Sequence, residues 1–121
     1  MKIKTFTNLN VWKEGHSIVL NVYKLTKEFP TEENYILTPQ ILRSSISITS
    51  NIAEGFSREG KKEKIRFYYI SLGSLTELQN QLLIARDVGY IKVEKFREIA
   101  DKTVIVQKML NALIRSIKGS K

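Results

Sequence analysis

The chain of 121 residues contains no cysteine, so neither a disulfide framework nor a thiolate metal site can form. Its single histidine, His16, removes the usual zinc sites as well. No run of about eighteen apolar residues occurs, so nothing reads as a transmembrane helix. The N-terminus MKIKTFTNLN is basic but lacks the apolar heart of a signal peptide, and no Asn-x-Ser/Thr acceptor is present. A cytoplasmic protein is the expectation. The ingredients of familiar catalysts are missing too. There is no Glu-x-x-His pair for a di-iron bundle, no glycine-rich phosphate loop and no serine with a nearby histidine and acid. No catalytic residue, metal ligand or cofactor site is therefore assigned, and an enzyme is not expected. Acidic residues are scarce, twelve against twenty Lys and Arg, which leaves a net charge of +8. Such a surplus favours polyanionic partners if it is concentrated, and mere solubility if it is spread.

With 42% apolar residues, the chain can bury one core as a single domain, 1–121. The stretch Leu37–Phe56, LTPQILRSSISITSNIAEGF, organises it. Ser45-Ile46-Ser47-Ile48-Thr49 alternates like a strand, but Leu42, Ser45, Thr49, Ile52 and Phe56 step by three and four, the spacing of one helical face. Thr38-Pro39 is a helix-start signal, and Gly55 with Gly60 offers the stop. The reading is a helix with a buried face of small residues. Before it, Trp12, Gly15, Val19, Val22, Thr26 and Phe29 make a bundle seam that ends at Phe29-Pro30. After it, Ile65, Tyr68, Leu72, Leu75, Gln79, Leu82 and Arg86 form a third seam, with Gly89 as its C-cap. Phe96, Ile99, Thr103, Val106, Leu110, Leu113 and Ile117 form a fourth. Helices over about 10–28, 39–56, 61–87 and 94–117 with short loops predict an all-α, antiparallel up-down-up-down four-helix bundle.

That topology gathers the N-terminus, the second loop and the C-terminus at one end. Lys2, Lys4, Arg58, Lys61, Lys62, Lys64, Arg66, Arg115, Lys118 and Lys121 fall there, opposed only by Glu59 and Glu63, so this end carries the whole surplus. Folding the second and third helices about Ser57–Lys61 puts Ser47 level with Ser71, Glu54 with Lys64, and Arg43 near Glu77. An Arg43–Glu77 ion pair is expected, because a buried charge needs a partner. Small residues at Ser44, Ser45, Ser47, Ser71, Gly73 and Ser74 would let the two backbones approach closely.

Arg43-Ser44, Ser47-Ile48 and Asn51-Ile52-Ala53-Glu54-Gly55 resemble the signature of the bacterial four-helix-bundle proteins encoded by intervening sequences of 23S ribosomal RNA genes. Further matches run along the chain: Leu9, Val11-Trp12, Phe29-Pro30, Glu33, Leu37-Thr38, Gln40, Gly73-Ser74, Glu77 and Gly89-Tyr90-Ile91. Ser45 and Ser71 depart from the alanine usual in this family, and Ile36 from its glycine. The resemblance implies a four-helix bundle assembled as a homopentamer. It also implies a distant similarity to the accessory protein of diversity-generating retroelements, a basic pentamer that binds nucleic acid and a reverse transcriptase. It leaves the molecular activity of this branch open.

Candidate sites divide accordingly. Arg58, Lys61, Lys62, Lys64, Arg66, Arg115 and Lys118 are the candidate nucleic-acid-binding residues, since clustered cations hold phosphate backbones without reading sequence. An acidic protein partner is the alternative. Phe67, Tyr68 and Tyr69 follow the cluster and are read first as core packing, second as stacking surfaces. Arg43, Ser47, Asn51, Glu54, Gly55, Gly73, Ser74 and Glu77 are read as structural, Asn51 bonding within the bundle and Glu54 pairing a cation near the turn. His16 is assigned to the surface or an interface. Extra apolar stripes, Phe67, Ile70 and Leu78 on the third helix and Ile105, Met109 and Ile114 on the fourth, point to contacts between subunits.

Overall fold

The computed structural model describes residues 3–120; Lys2 and Lys121, both counted at the basic end, lie outside the described residues. Four helices account for most of the chain: α1 (Asn10–Thr26), α2 (Leu37–Ser57), α3 (Lys61–Asp87) and α4 (Val93–Gly119). Among the described residues there is no strand. The serine–isoleucine alternation of Leu37–Phe56 yields to the helical period, because Ile41, Ile48 and Ile52 then share one fully buried face.

The helix ends follow from local chemistry. A one-turn 3-10 helix, Phe6–Asn8, leads into α1; the Thr5 hydroxyl accepts from the Thr7 amide at 3.2 Å and the Asn8 carbonyl oxygen Oδ1 from the Thr5 amide at 3.2 Å. α1 stops at Thr26, a little before the proline that forbids continuation. α2 starts at Leu37, two residues ahead of the expected Pro39. The acceptor at its head is not Thr38 but Glu33, whose Oε1 receives the Leu37 amide at 3.2 Å. Pro39 costs nothing in this position, since first-turn amides have no intrahelical partner. α3 closes in a Schellman arrangement. Gly89 takes φ 88°, the Tyr90 amide reaches Ala85 O at 2.8 Å, and the Gly89 amide reaches Arg86 O at 3.0 Å.

Bonds between helices give the directions. Ser44 meets Gln81, Ser47 meets Ser74, and Lys64 reaches Phe56, so numbers fall on α3 as they rise on α2. Gln79 bonds Thr103 while Tyr69 bonds Lys118, so α3 and α4 are also antiparallel. On the remaining side Lys102 bonds Ser17, and Lys95 lines a groove with Asn21 and Glu28, which sets α1 against α4 the same way. The core between them is aliphatic, with Ile18, Ile48, Leu78, Leu82, Val106 and Leu110 fully buried. Tyr68 is its one aromatic from α3, and burial pushes its hydroxyl pKa up.

Several side chains differ from the sequence reading. Arg43 and Glu77 line one small depression but both are exposed and no ion pair joins them among the described residues. The premise of burial fails, so neither charge needs a partner. Ser47 bonds Ser74, at 2.8 Å, instead of meeting Ser71, whose hydroxyl donates to Ile48 O at 2.8 Å. Gly73 does not mediate close approach: a Cβ there would meet nothing within 4 Å. That role belongs to Gly55, where a Cβ would lie 2.7 Å from Tyr68 Cε1 and 3.1 Å from Phe67 Cβ. Of the extra stripes, Leu78 (0% exposed) and Ile114 (3%) are core, because α3 and α4 each pack against two neighbours; Ile70 (41%) and Ile105 (48%) remain outside.

Candidate nucleic-acid interface

The turn Arg58–Gly60 joins α2 to α3, and the end of α4 lies beside it. Two contacts fix that juxtaposition: Lys61 Nζ donates to Ser120 O, and Lys118 Nζ donates to the Tyr69 hydroxyl at 2.9 Å while sitting 5.2 Å from that ring's centroid. The first turn of α3, the α2–α3 turn and the last turns of α4 thus form one basic surface. Lys62 and Arg115 are exposed on it.

The cations there are not equivalent. Lys64 donates to Phe56 O at 2.7 Å and Gly55 O at 3.4 Å, and its ammonium lies 5.4 Å from the Phe56 ring centroid. A cation on the last carbonyls of a helix satisfies orphan acceptors and the negative end of the dipole. Lys64 therefore holds the end of α2 and is half-buried in doing so. Arg58 and Arg66 converge on Phe67, their guanidinium carbons 4.7 and 4.5 Å from its centroid. Each also meets a carboxylate: Arg58 Nη2 lies 3.2 Å from Glu54 Oε2, and Arg66 grips Glu63 through Nε at 2.9 Å and Nη2 at 3.1 Å. The Arg66 hydrogen bond, helped by the charges of Arg66, Arg58 and Lys62, holds the Glu63 carboxyl below its usual range, and Glu63 in turn raises Arg66. Exposed pairs of this kind are weak and screened by solvent, so competing anions can displace them.

The aromatic residues after the cluster part company. Tyr68 is core at 2% exposure, Phe67 is half-buried beneath the two arginines, and Tyr69 is 48% exposed. His16 is exposed and stacks on Trp12 at 4.7 Å.

The signature residues on α2 and α3 form a polar seam. Asn51 Nδ2 donates to Ser47 O at 2.8 Å and to Ser47 Oγ at 3.0 Å, and Ser47 continues to Ser74. Glu54 stands at the turn against Arg58, and Gly55 admits the Tyr68 ring. Two bonds that the sequence did not suggest anchor the seam and the far end. Inside, Ser44 Oγ donates to Gln81 Oε1 at 2.6 Å with both residues buried. At the opposite end Tyr90 donates to Glu33 Oε2 at 2.7 Å, so one carboxylate caps α2 and ties down the α3–α4 loop. Helical spacing puts Gln81 between Leu78 and Ala85 on the second apolar stripe of α3, which is the one signal that could have found it. Among the described residues no three His, Cys, Asp or Glu side chains are grouped to hold a metal, and no helix is long and apolar enough to cross a membrane.

Comparison with known proteins places this geometry. Among curated proteins none matches. A crystal structure at 1.70 Å of a protein of unknown function from the S23 ribosomal protein family, from Bacteroides thetaiotaomicron VPI-5482, aligns with a TM-score of 0.80 and 25% identity, covering 86% of this chain and 97% of that one. Residues 7–112 match the family described as 23S rRNA-intervening sequence protein. The chain, with its Asn51–Gly55 signature on α2 packed against α3, belongs to the 23S rRNA-intervening sequence protein family.

Proposed function

We propose that this protein is a non-enzymatic, oligomeric cytoplasmic bundle that docks RNA or DNA electrostatically on its basic end. The observation that supports this most is the clustering of Lys61, Lys62, Arg115 and Lys118 with Arg58 and Arg66 where the α2–α3 turn meets the end of α4. Ammonium and guanidinium groups on one surface bind phosphates through counterion release and need no base recognition. The oligomer in this reading is a homopentamer, after the family resemblance. Exposed Ile70, Leu83, Val104 and Ile105 supply apolar surface for it. A ring would repeat the basic surface and turn weak contacts into avidity.

Fluorescent structured RNA and duplex DNA titrated at low and moderate salt test the reading. A variant with Lys61, Lys62, Arg115 and Lys118 changed to Ala, which spares the helix-capping Lys64, runs beside the native protein. About four phosphate contacts would weaken binding roughly 100-fold for a fourfold rise in salt, and the variant should lose most affinity and most of that slope. Absence of binding to both probes at low salt sinks the proposal. One observation favours an acidic protein as the alternative partner: Arg58 and Arg66 already sit on carboxylates, so the surface accepts them. Such an adaptor would prefer one folded partner and resist competition by unrelated polyanions.

A further inference from the structure

We infer that the basic end is built for unpaired bases, so that it selects single-stranded nucleic acid over duplex; this rests on the polyanion reading above. Arg58 and Arg66 already share donors with carboxylates, which a phosphate would have to displace. Their edges are turned to Glu54 and Glu63, at 3.2 Å and 2.9 Å. Their planes are another matter. Both guanidinium groups lie over the Phe67 ring, at 4.7 and 4.5 Å, and both side chains remain about half exposed, 46% and 54%. Each guanidinium rests over an aromatic ring and stays about half exposed, and a flat cation of this kind stacks on a base. Pairing with the carboxylates and packing on Phe67 keep the planes from turning freely, which lowers the ordering cost of stacking.

A second flat surface lies one helical turn along α3. Tyr69, 48% exposed, has its hydroxyl held by Lys118 and a cation on its ring. Arg66 and Tyr69 are three residues apart, hence neighbours on the helix surface. Lys118 lies on the Tyr69 ring, and Lys61 and Lys62 open the first turn of the same helix, where their ammonium groups suit the phosphates between bases. Ammonium groups for backbone and stacking faces for bases is the division of labour of single-strand binding surfaces. In a duplex the bases are stacked on each other and cannot use the platform.

The test compares three probes of about 12 nucleotides, within the size range of single-strand sites: a single strand, a strand of the same length with abasic residues, and a duplex. Native protein should bind the single strand about 10-fold or more tightly than the abasic strand, the scale of one stacked base. The double variant Arg58→Lys, Arg66→Lys keeps both charges and removes both planes. Its ratio of single-strand to abasic-strand affinity should fall to about one, whatever the change in overall affinity, with helicity by circular dichroism unchanged. Equal affinity for single strand and abasic strand, or tighter binding of the duplex, overturns the inference while leaving the polyanion reading intact. A base preference that survives in the double variant also overturns it. Failure to bind any of the three removes both readings together.

Discussion

Two glycines on the α2–α3 pair show how differently one residue type is used. At Gly55 the Tyr68 ring edge and the Phe67 Cβ occupy the space that a side chain would need. Gly55→Ala should cost about 2 kcal/mol, the scale of overpacking in a closed core. Gly73 sits mid-helix with open space around it, and there Ala avoids the entropy that Gly loses on folding. Gly73→Ala should stabilise by roughly 1 kcal/mol. Urea unfolding of both variants checks the pair, and a Gly73→Ala variant that loses stability would mean that something covers this face. The sequence reading assigned the close approach to Gly73 and the helix stop to Gly55, whereas Gly55 lies inside α2 and makes the close approach. Spacing tells that two residues share a helix face; which face meets the neighbour depends on rotation of the whole helix. Arg43 and Glu77 failed for the same reason: both stand on the exposed sides of their helices.

At the scale of elements, the weakest link to read was the joint between α2 and the α3–α4 loop. Glu33 receives the Leu37 amide and the Tyr90 hydroxyl, residues far apart in the chain. Glu33→Ala should lower stability by about 1 kcal/mol from the cap alone. The hydroxyl bond adds a pH dependence. Glu33, through that bond first, raises the Tyr90 pKa above its ordinary value of 10.0. The folded state therefore keeps a proton that the unfolded chain releases at lower pH. The contribution is fully present below about pH 10, the unfolded value, and is lost as pH rises through the folded one. Tyr68, raised by burial, acts in the same window, so Glu33→Ala should reduce the alkaline loss without abolishing it. Urea midpoints measured from about pH 8 to 11 give the comparison. An unchanged alkaline slope in the variant would show that Tyr90 draws nothing from Glu33. Thr38-Pro39 correctly announced a helix start, but the side chain that caps it comes from outside the helix, where local signals do not reach.

At the scale of the molecule, charge and apolar surface are both unevenly placed. The basic surplus lies at the α2–α3 turn and the end of α4, while Ile70, Leu83, Val104 and Ile105 stand exposed along α3 and α4. In the pentameric assembly we propose, sedimentation velocity should give a mass several times that of one chain. Ile105→Glu combined with Ile70→Glu should shift it to monomer with helicity retained, because a charge in an apolar contact is costly to bury. A native protein that sediments as a monomer at about 100 μM would leave these residues as the scattered surface hydrophobics that any monomer carries.

The sequence by itself determined the number of helices, their approximate limits, the Schellman stop at Gly89 and the concentration of cations near Arg58–Arg66. These follow from periodicity, proline and glycine chemistry and loop length, all local properties. It also carried the family, in the Asn51–Gly55 run. Only the tertiary structure decided which cations are free and which are engaged. Lys64 caps α2 and Arg58 lies on Phe67 because α2 and α3 fold back at their turn, and Lys118 rests on Tyr69 because α4 returns to the same end. It likewise sent Ser44 to Gln81, not a charge to a charge, across the α2–α3 seam. Hydrogen-bond and ring contacts depend on helix rotation and height to within an ångström or two, and a repeat of three and four residues leaves both undetermined.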